Sequence, residues 1–241
     1  MFKSKCLLLC LCFFVGSHAT GNLVPFIDKC EWNDKSCLMA SSQKAIGPFC
    51  DGLPALGVPP MDPMKLKNVK LHEGDLKVLF SDMAVTGARK LKVLKVERDI
   101  NKHTLKIAGE CPIEVSGEYD ASGQLLFTPV TGKGPFKVIC KLIYLEVNAE
   151  LKTVVGPDGI KYWKIGKFTH SYDSKGKCTF HFEKLFGGNK VEAEQFTKLL
   201  NDNDKDIIKT LGKPMVNALL TNMVDHVQTF CSKVPADQLE K

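Results

Sequence analysis

The amino-acid sequence predicts an α+β fold in which a highly curved antiparallel β-sheet wraps around one long C-terminal helix. Three observations indicate this fold. A capping residue precedes a short helix near the N-terminus, apolar residues recur with period two from about Lys65 to Phe186, and a helical period follows from Asp204 to about Ser232. A sheet with one apolar face and a helix with a wide apolar stripe bury both surfaces when one encloses the other.

The start of the chain has the pattern of a secretory signal peptide. Two lysines precede an apolar run at 6–15, and small residues then lead to an expected cleavage after Ala19. The run is about half of the ~20 residues that a membrane-spanning helix needs, which disfavours an anchor. We therefore expect residues 1–19 to be a signal peptide and residues 20–241 to form one secreted, extracellular domain without stable membrane insertion.

A short helix and an extended segment are expected next. Asp34 or Ser36 can cap a helix that begins near Cys37, and the Gly-Pro pair at 47–48 should end it. The Gly- and Pro-rich run that follows cannot continue a helix, so residues 53–63 are predicted to form an extended clasp.

Seven cysteines follow the predicted leader, so at least one thiol should remain unpaired. Cys30 and Cys37 are close in sequence and flanked by polar residues, which makes them the best-placed pair. Cys111 and Cys140 each lie in the apolar register of a strand. They can be buried thiols or can pair across neighbouring strands, and the pattern leaves both alternatives open. The Cys-x-x-His segment at 178–181 lacks two further ligands at fixed spacing, so no metal site is predicted.

The clearest strand runs from Leu105 to Tyr119, where odd positions are apolar or glycine and even positions are mostly polar. The sequences at 120–123 and 132–134 are typical of turns. A second long strand follows at 136–154. Its apolar residues change from even to odd positions near the middle, which predicts a bulge or bend. Shorter strands are expected at 161–168 and 178–186, after turns at 156–159 and 173–176.

The last part of the chain has a helical pattern. A short helix is predicted at 191–200, and a long one from Asp204 to about Ser232. A helix of ~28 residues would be ~42 Å long, close to the diameter of a compact domain of this size. Pro214 should kink this helix or delay its start.

Motifs for enzyme chemistry are absent from the sequence. It contains no Gly-rich phosphate loop and no Gly-x-Ser-x-Gly segment, and its histidines are scattered. We therefore predict no catalytic residue, no cofactor and no enzymatic activity. The basic residues are lysines except for Arg89 and Arg98, so nucleic-acid binding is not expected. Long strands bent around a helix would enclose apolar space, which is the kind of site that binds a hydrophobic small molecule.

Five further segments occur in order along the chain: Cys30-x6-Cys37, Gly52-Leu-Pro-Ala-Leu-Gly-Val-Pro-Pro-Met-Asp-Pro63, Leu185-Phe-Gly-Gly-Asn-Lys190, Leu199-Leu-Asn-Asp-Asn203 and Cys231-Ser-Lys-Val-Pro-Ala-Asp237. Together they resemble the insect takeout family, which is similar to the haemolymph juvenile hormone-binding proteins. The resemblance covers the whole chain after the leader. It implies a secreted carrier of the α/β-wrap type, with an internal tunnel for a hydrophobic ligand and a disulfide between Cys30 and Cys37. A circadian role would rest on family analogy alone.

The chain departs from the hormone-binding proteins in one respect. Those proteins resemble each other in a second disulfide, between a cysteine that follows a Phe-Thr pair and one in the C-terminal helical region. Here Phe168-Thr169 is followed by His170, and no cysteine lies between Asn201 and Phe230. The sequence therefore resembles the takeout branch, whose ligands are less defined.

The sequence thus predicts a monomeric carrier of a terpenoid, a juvenile hormone-like molecule or a long-chain lipid. Two alternatives stay open: a secreted interaction or signalling protein with a packed interior, and a lipid hydrolase, which the missing nucleophile motif disfavours. From periodicity alone, the residues expected to line the ligand site are Trp32, Leu38, Phe127, Tyr144, Trp163, Phe180, Met215, Leu219 and Met223.

Overall fold

A computed structural model of the chain describes residues 23–125 and 128–241. The predicted signal peptide and Phe127 lie outside the described residues. The helices are α1 (Lys35–Asp51), α2 (Lys190–Asp202), α3 (Asp204–Leu211) and α4 (Lys213–Cys231). The strands are β1 (Met64–Leu66), β2 (Val69–Glu73), β3 (Leu76–Thr86), β4 (Lys92–Asp99), β5 (Thr104–Leu125), β6 (Thr128–Val155), β7 (Lys161–Ser174) and β8 (Cys178–Phe182).

The strands form one antiparallel sheet that is strongly curved. The main path is β1-β3-β5-β6-β7, while β2 pairs with β3, β4 with β5 and β8 with β6. Strand β6 has 28 residues, which at ~3.3 Å per residue would extend ~90 Å if it were straight. This is about twice the ~44 Å diameter of a compact domain of this size, so the strand must bend. The α+β wrap is confirmed.

The predicted bulge in the second long strand is confirmed. Cys111 is opposite Ile143 while Ile113 is opposite Cys140, so β6 contains one extra residue at this point. The extra residue exchanges the two faces of β6, which keeps its apolar side chains on the inner surface of the sheet. On the outer surface, lysines and glutamates of neighbouring strands pair, as in Lys137–Glu114 at 2.7 Å.

The turns predicted at 120–123 and 132–134 are wrong. Both segments lie within the β5–β6 ladder, which continues until Leu125 is opposite Thr128. Gly123 has a φ of +118°, and a Cβ at this position would lie 2.0 Å from the carbonyl oxygen of Asp75. The glycine therefore permits a close approach of the β2–β3 turn to β5, and it does not form a turn of its own.

Helix α1 begins as predicted but ends later. The Asp34 side chain accepts a hydrogen bond from the Cys37 N–H at 3.0 Å and caps the helix. The helix continues through Pro48 to Asp51, so the predicted end at 47–48 is wrong. A proline in the last turn removes only one backbone hydrogen bond, and the buried side chain of Cys50 lies on this final turn.

The long C-terminal helix is interrupted at Gly212, which separates α3 from α4. Pro214 occupies the first turn of α4, where its missing N–H has no helical acceptor to lose. The predicted delay of the long helix at Pro214 is thus confirmed, but the prediction of one helix of ~28 residues is wrong. Helix α4 has 19 residues, which at 1.5 Å per residue is about 28 Å. Helix α4 crosses the concave side of the sheet and contacts β7 as well as β1 and β2. Helices α2 and α3 pack beside β8, and α1 packs on β4.

Two apolar clusters fill the interior. The larger lies between the sheet and helices α2 to α4. The smaller gathers residues from both ends of the described chain around Val24, Phe230 and Val234. Phe49 and Val227 pack against both clusters, so the clusters meet beside the second half of α4. Within residues 23–125 and 128–241, no helix is long and apolar enough to cross a membrane.

Candidate ligand-binding site

A cavity lies in the larger cluster, between the concave face of the sheet and helices α2 to α4. The alternation of strands β3, β5 and β6 points every second side chain inward, and α4 closes the opposite side. The wall is made of apolar side chains together with Cys140, Gly212 and two tyrosines. Members from each element include Leu71, Val78, Phe80, Val115, Tyr119, Phe136, Leu145, Tyr172, Phe180, Phe196, Ile207, Leu211, Met215 and Leu219.

The cavity has room for a ligand of moderate size. About 180 Å³ can be reached by the centre of a water-sized sphere. This is more than ten times the roughly 10–15 Å³ that a single water molecule needs, so the cavity is large enough for a small organic molecule. The described interior is therefore not filled by side chains, which disfavours the hypothesis of an interaction protein with a packed interior.

The polar groups of the wall are already hydrogen-bonded. The Tyr119 hydroxyl donates to the Glu183 carbonyl oxygen at 2.6 Å, and burial raises the pKa of this phenol to about 12. The Tyr172 hydroxyl donates to the Ile208 carbonyl oxygen at 3.2 Å, and burial also raises its pKa. Because both hydroxyls are neutral and bonded to backbone, this part of the wall presents an apolar surface to a ligand.

The junction between α2 and α3 is anchored to the free edge of β8. The Asp204 carboxylate accepts hydrogen bonds from the Cys178 N–H at 2.7 Å and from the Lys177 ammonium at 2.8 Å. The Asn201 side-chain oxygen accepts from the Phe180 N–H at 2.7 Å. Successive outward N–H groups of the edge strand are thus satisfied by side chains in place of a neighbouring strand. This contact holds the two helices over the cavity.

Two disulfides lie in the described chain. Cys30 bonds to Cys37 with a Cα–Cα distance of 5.7 Å, as the resemblance implied. Cys140 bonds to Cys178 and fastens β8 to β6 beside the cavity. The expectation that Cys140 is a thiol or pairs with Cys111 is wrong, because Cys178 is its direct partner across the β6–β8 ladder.

The other described cysteines are buried thiols that take no part in the cavity wall or in a disulfide. They are Cys50, Cys111 and Cys231. Burial raises the pKa of Cys111 to about 11 and that of Cys231 to about 12. No group of three or more His, Cys, Asp or Glu in the described residues could hold a metal ion.

Three of the side chains predicted to line the site lie on the cavity wall, namely Phe180, Met215 and Leu219. Met223 packs against the larger cluster one turn beyond Leu219 but is not part of this wall. Its position in the helical stripe was read correctly, but the stripe alone does not show where along the helix the cavity ends.

The structure places the other described candidates elsewhere. Trp32 lies in the loop before α1 and is 38% exposed, and Leu38 is half-buried on α1 beside β4. Tyr144 lies on the outer surface because of the β6 bulge, and its hydroxyl donates to Glu146 at 3.2 Å. Trp163 packs in the smaller cluster, where the Arg98 guanidinium lies 4.6 Å from its ring centre.

Sequence reasoning missed the parts of the wall that β2, β3, β5, β6, β7, α2 and α3 supply. Leu76, Val78 and Phe80 alternate on β3, and Ile207 and Leu211 lie one helical turn apart on α3. These periodicities were visible in the sequence. They identify inward-facing residues, but the same pattern is produced by side chains that only fill a core.

A sequence model of the family described as "Haemolymph juvenile hormone binding protein (JHBP)" matches residues 7–241. The circadian clock-controlled protein daywake of Drosophila melanogaster is 22% identical over 224 residues, which cover 88% of this chain and 86% of that protein. A putative beta-carotene-binding protein of Schistocerca gregaria is 25% identical over 129 residues, or 52% of each chain.

Among solved structures, the chain is similar to the crystal structure of Epiphyas postvittana Takeout 1. The TM-score is 0.87 with 26% sequence identity, and the match covers 89% of this chain and 100% of that chain.

Proposed function

Because the chain belongs to the haemolymph juvenile hormone-binding protein family, we propose that it is a secreted, non-enzymatic carrier of one hydrophobic small molecule. The observation that carries this proposal is the cavity between sheet and helix, whose wall is apolar and whose two tyrosine hydroxyls are bonded to backbone. Transfer of an apolar molecule from water into such a space is favourable by about 25 cal/mol per Å² of buried surface.

The size of the cavity is compatible with a small hydrophobic ligand. A space more than ten times what a single water molecule needs suits a molecule such as a terpenoid or an acyl chain. At ~0.3 kcal/mol per heavy atom, a ligand of ~18 atoms would gain ~5.4 kcal/mol, which corresponds to a Kd of roughly 0.1 mM as a lower limit of affinity. A ligand with good shape complementarity should bind more tightly.

Two disulfides support the proposal that the protein works outside the cell, because such bonds persist in oxidising compartments. Expression with the native leader tests this point. The secreted product should begin after about Ala19, and retention of the whole chain inside the cell would contradict the proposal.

Displacement of the fluorescent probe N-phenyl-1-naphthylamine tests the binding proposal. Dodecan-1-ol should displace the probe from the wild-type protein. The substitution Leu219→Trp, which adds an indole to the cavity wall, should weaken probe binding at least tenfold. Val191→Trp is the matched control, because Val191 is 64% exposed on α2. Binding that is equal in wild type and Leu219→Trp would place the probe outside the cavity and contradict the proposal.

A further inference from the structure

His226 is a polar residue on α4 whose ring makes no hydrogen bond among the described residues. Its Nδ1 atom is buried and unpartnered. Burial also lowers the pKa of the imidazole although the nearby Asp225 opposes this shift, so the ring is neutral at neutral pH. A buried polar group without a partner costs about 1–3 kcal/mol. His226 is not part of the cavity wall, so the wall does not account for a histidine at this position.

The helical repeat places His226 in line with the cavity wall. Residues 215, 219, 222 and 226 are separated by four, three and four positions, so they share one face of α4. Met215 and Leu219 of this row line the cavity. At 1.5 Å per residue, Asn222 and His226 lie about 4.5 and 10 Å further along the helix. On this face of α4, the apolar residues of the cavity wall are thus followed by the polar pair Asn222 and His226.

Asn222 can act as an acceptor within this pair. Its amide nitrogen donates to the Ala218 carbonyl oxygen at 3.1 Å, which fixes the orientation of the side chain. The amide oxygen then remains available to accept a hydrogen bond. Asn222 and His226 are one helical turn apart, so one small polar group can reach both.

The inner face of the sheet also continues past the cavity. Leu145 lines the cavity, and Val147 follows two residues later on the same face of β6. Val147 is opposite Ile107 on β5, which in turn is opposite Val96. Val96 is 3% exposed, but Ile107 is 37% exposed although it shares this face. The inner surface is therefore incompletely covered beyond the cavity wall.

We propose that Asn222 and His226 form a polar subsite that hydrogen-bonds the hydroxyl group of an amphipathic alcohol whose apolar chain occupies the cavity. This inference rests on the proposed carrier function and specifies its ligand class. A hydroxyl group donates and accepts at once, which matches an amide oxygen together with a neutral imidazole. A carboxylate fits less well, because neither group of the pair supplies a positive charge to it.

The test uses the probe displacement assay with two ligands. Dodecan-1-ol carries the hydroxyl group, and 1-methoxydodecane has a similar chain but cannot donate a hydrogen bond. His226→Leu should weaken binding of dodecan-1-ol about threefold to tenfold, as expected for one lost hydrogen bond between neutral groups. It should change the Kd of the probe itself less than twofold. Asn222→Ala should reduce the preference for dodecan-1-ol over 1-methoxydodecane in the same way.

Two further variants separate the subsite from a structural role of the histidine. His226→Gln keeps a donor and an acceptor and should restore most of the alcohol affinity. His72→Leu is the matched control, since His72 is exposed on the outer side of β2, and it should bind like wild type.

If His226→Leu changed the Kd values of dodecan-1-ol, 1-methoxydodecane and the probe equally, the proposed subsite would be refuted. The same conclusion would follow if the wild type showed no preference for the alcohol over the ether. If the wild-type protein bound neither the probe nor any of the ligands, the carrier function itself would fail, which is a different result from binding that is indifferent to Asn222 and His226.

Discussion

Replacing Asp204 with alanine should loosen the cover of the cavity and lower the free energy of unfolding. The substitution removes the carboxylate that accepts the buried Cys178 N–H at 2.7 Å, and a hydrogen bond to a charged group contributes about 1.5–3 kcal/mol. The ion pair with Lys177 adds ~0–1 kcal/mol, because the lysine side chain is 46% exposed. The expected loss is therefore about 1.5–4 kcal/mol.

Urea unfolding monitored by circular dichroism measures this loss. Asp202→Ala is the matched control on the same helix junction, since Asp202 pairs with Lys198 and the two side chains are 59% and 76% exposed. This control should lose less than ~1 kcal/mol. The Asp204 variant should also release the bound probe faster in stopped-flow dilution, because α2 and α3 cover the cavity.

The pH dependence of the stability difference between wild type and Asp204→Ala follows from the pKa of Asp204. Burial raises this pKa, but the hydrogen bonds from the Cys178 N–H and Lys177 outweigh burial and hold it below the usual value. A carboxyl with a lowered pKa in the folded state stabilises the protein above its unfolded pKa of ~3.9. The difference between wild type and Asp204→Ala should thus be constant from about pH 5 to 8 and should shrink as the pH falls further.

A loss of stability no larger than that of Asp202→Ala would refute this reasoning. So would a difference between wild type and the Asp204 variant that grows on acidification.

Two further predictions concern the cysteines. The three described thiols should react with a disulfide reagent at pH 8 only after denaturation, because all are buried and burial raises their pKa values; rapid labelling of the native protein would contradict their burial. The Cys140–Cys178 bond joins residues 38 positions apart, and its removal should lower the free energy of unfolding by about 4 kcal/mol. Removal of the Cys30–Cys37 bond, with a separation of 7, should lower it by about 2.5 kcal/mol. Urea unfolding of two variants, each with one pair of bonded cysteines replaced by serines, measures both losses. A larger loss for the Cys30–Cys37 variant than for the Cys140–Cys178 variant would contradict this prediction.

The architecture could be predicted because it depends on periodicity. The alternation in β5, its shift within β6 and the stripe on α4 each reflect which side chains face the interior. The turns at 120–123 and 132–134 were not predictable in this way. Glycine can mark a turn or a close approach of two backbones, and only the packing of the β2–β3 turn on Gly123 distinguishes the two.

The site was less accessible to sequence reasoning than the fold. Phe180, Met215 and Leu219 were found because they face inward. Trp163 also faces inward, but it lies in the smaller cluster, which contains Val24 and Val234. Position along a strand or helix relative to a cavity is a tertiary property, and periodicity carries no information about it.

The β8 contacts illustrate the same distinction. The segment 199–203 was conspicuous in the sequence, but its function in the fold depends on the edge of β8, which lies about 20 residues earlier. Only in the folded chain do Asn201 and Asp204 meet the N–H groups of Phe180 and Cys178.

Native mass spectrometry of the secreted protein tests whether the cavity holds a hydrophobic molecule. We expect a species heavier than the polypeptide by one apolar molecule, which solvent extraction removes and which Leu219→Trp does not retain. A wild-type protein that shows only the mass of the polypeptide, even after incubation with excess dodecan-1-ol, would contradict the carrier function.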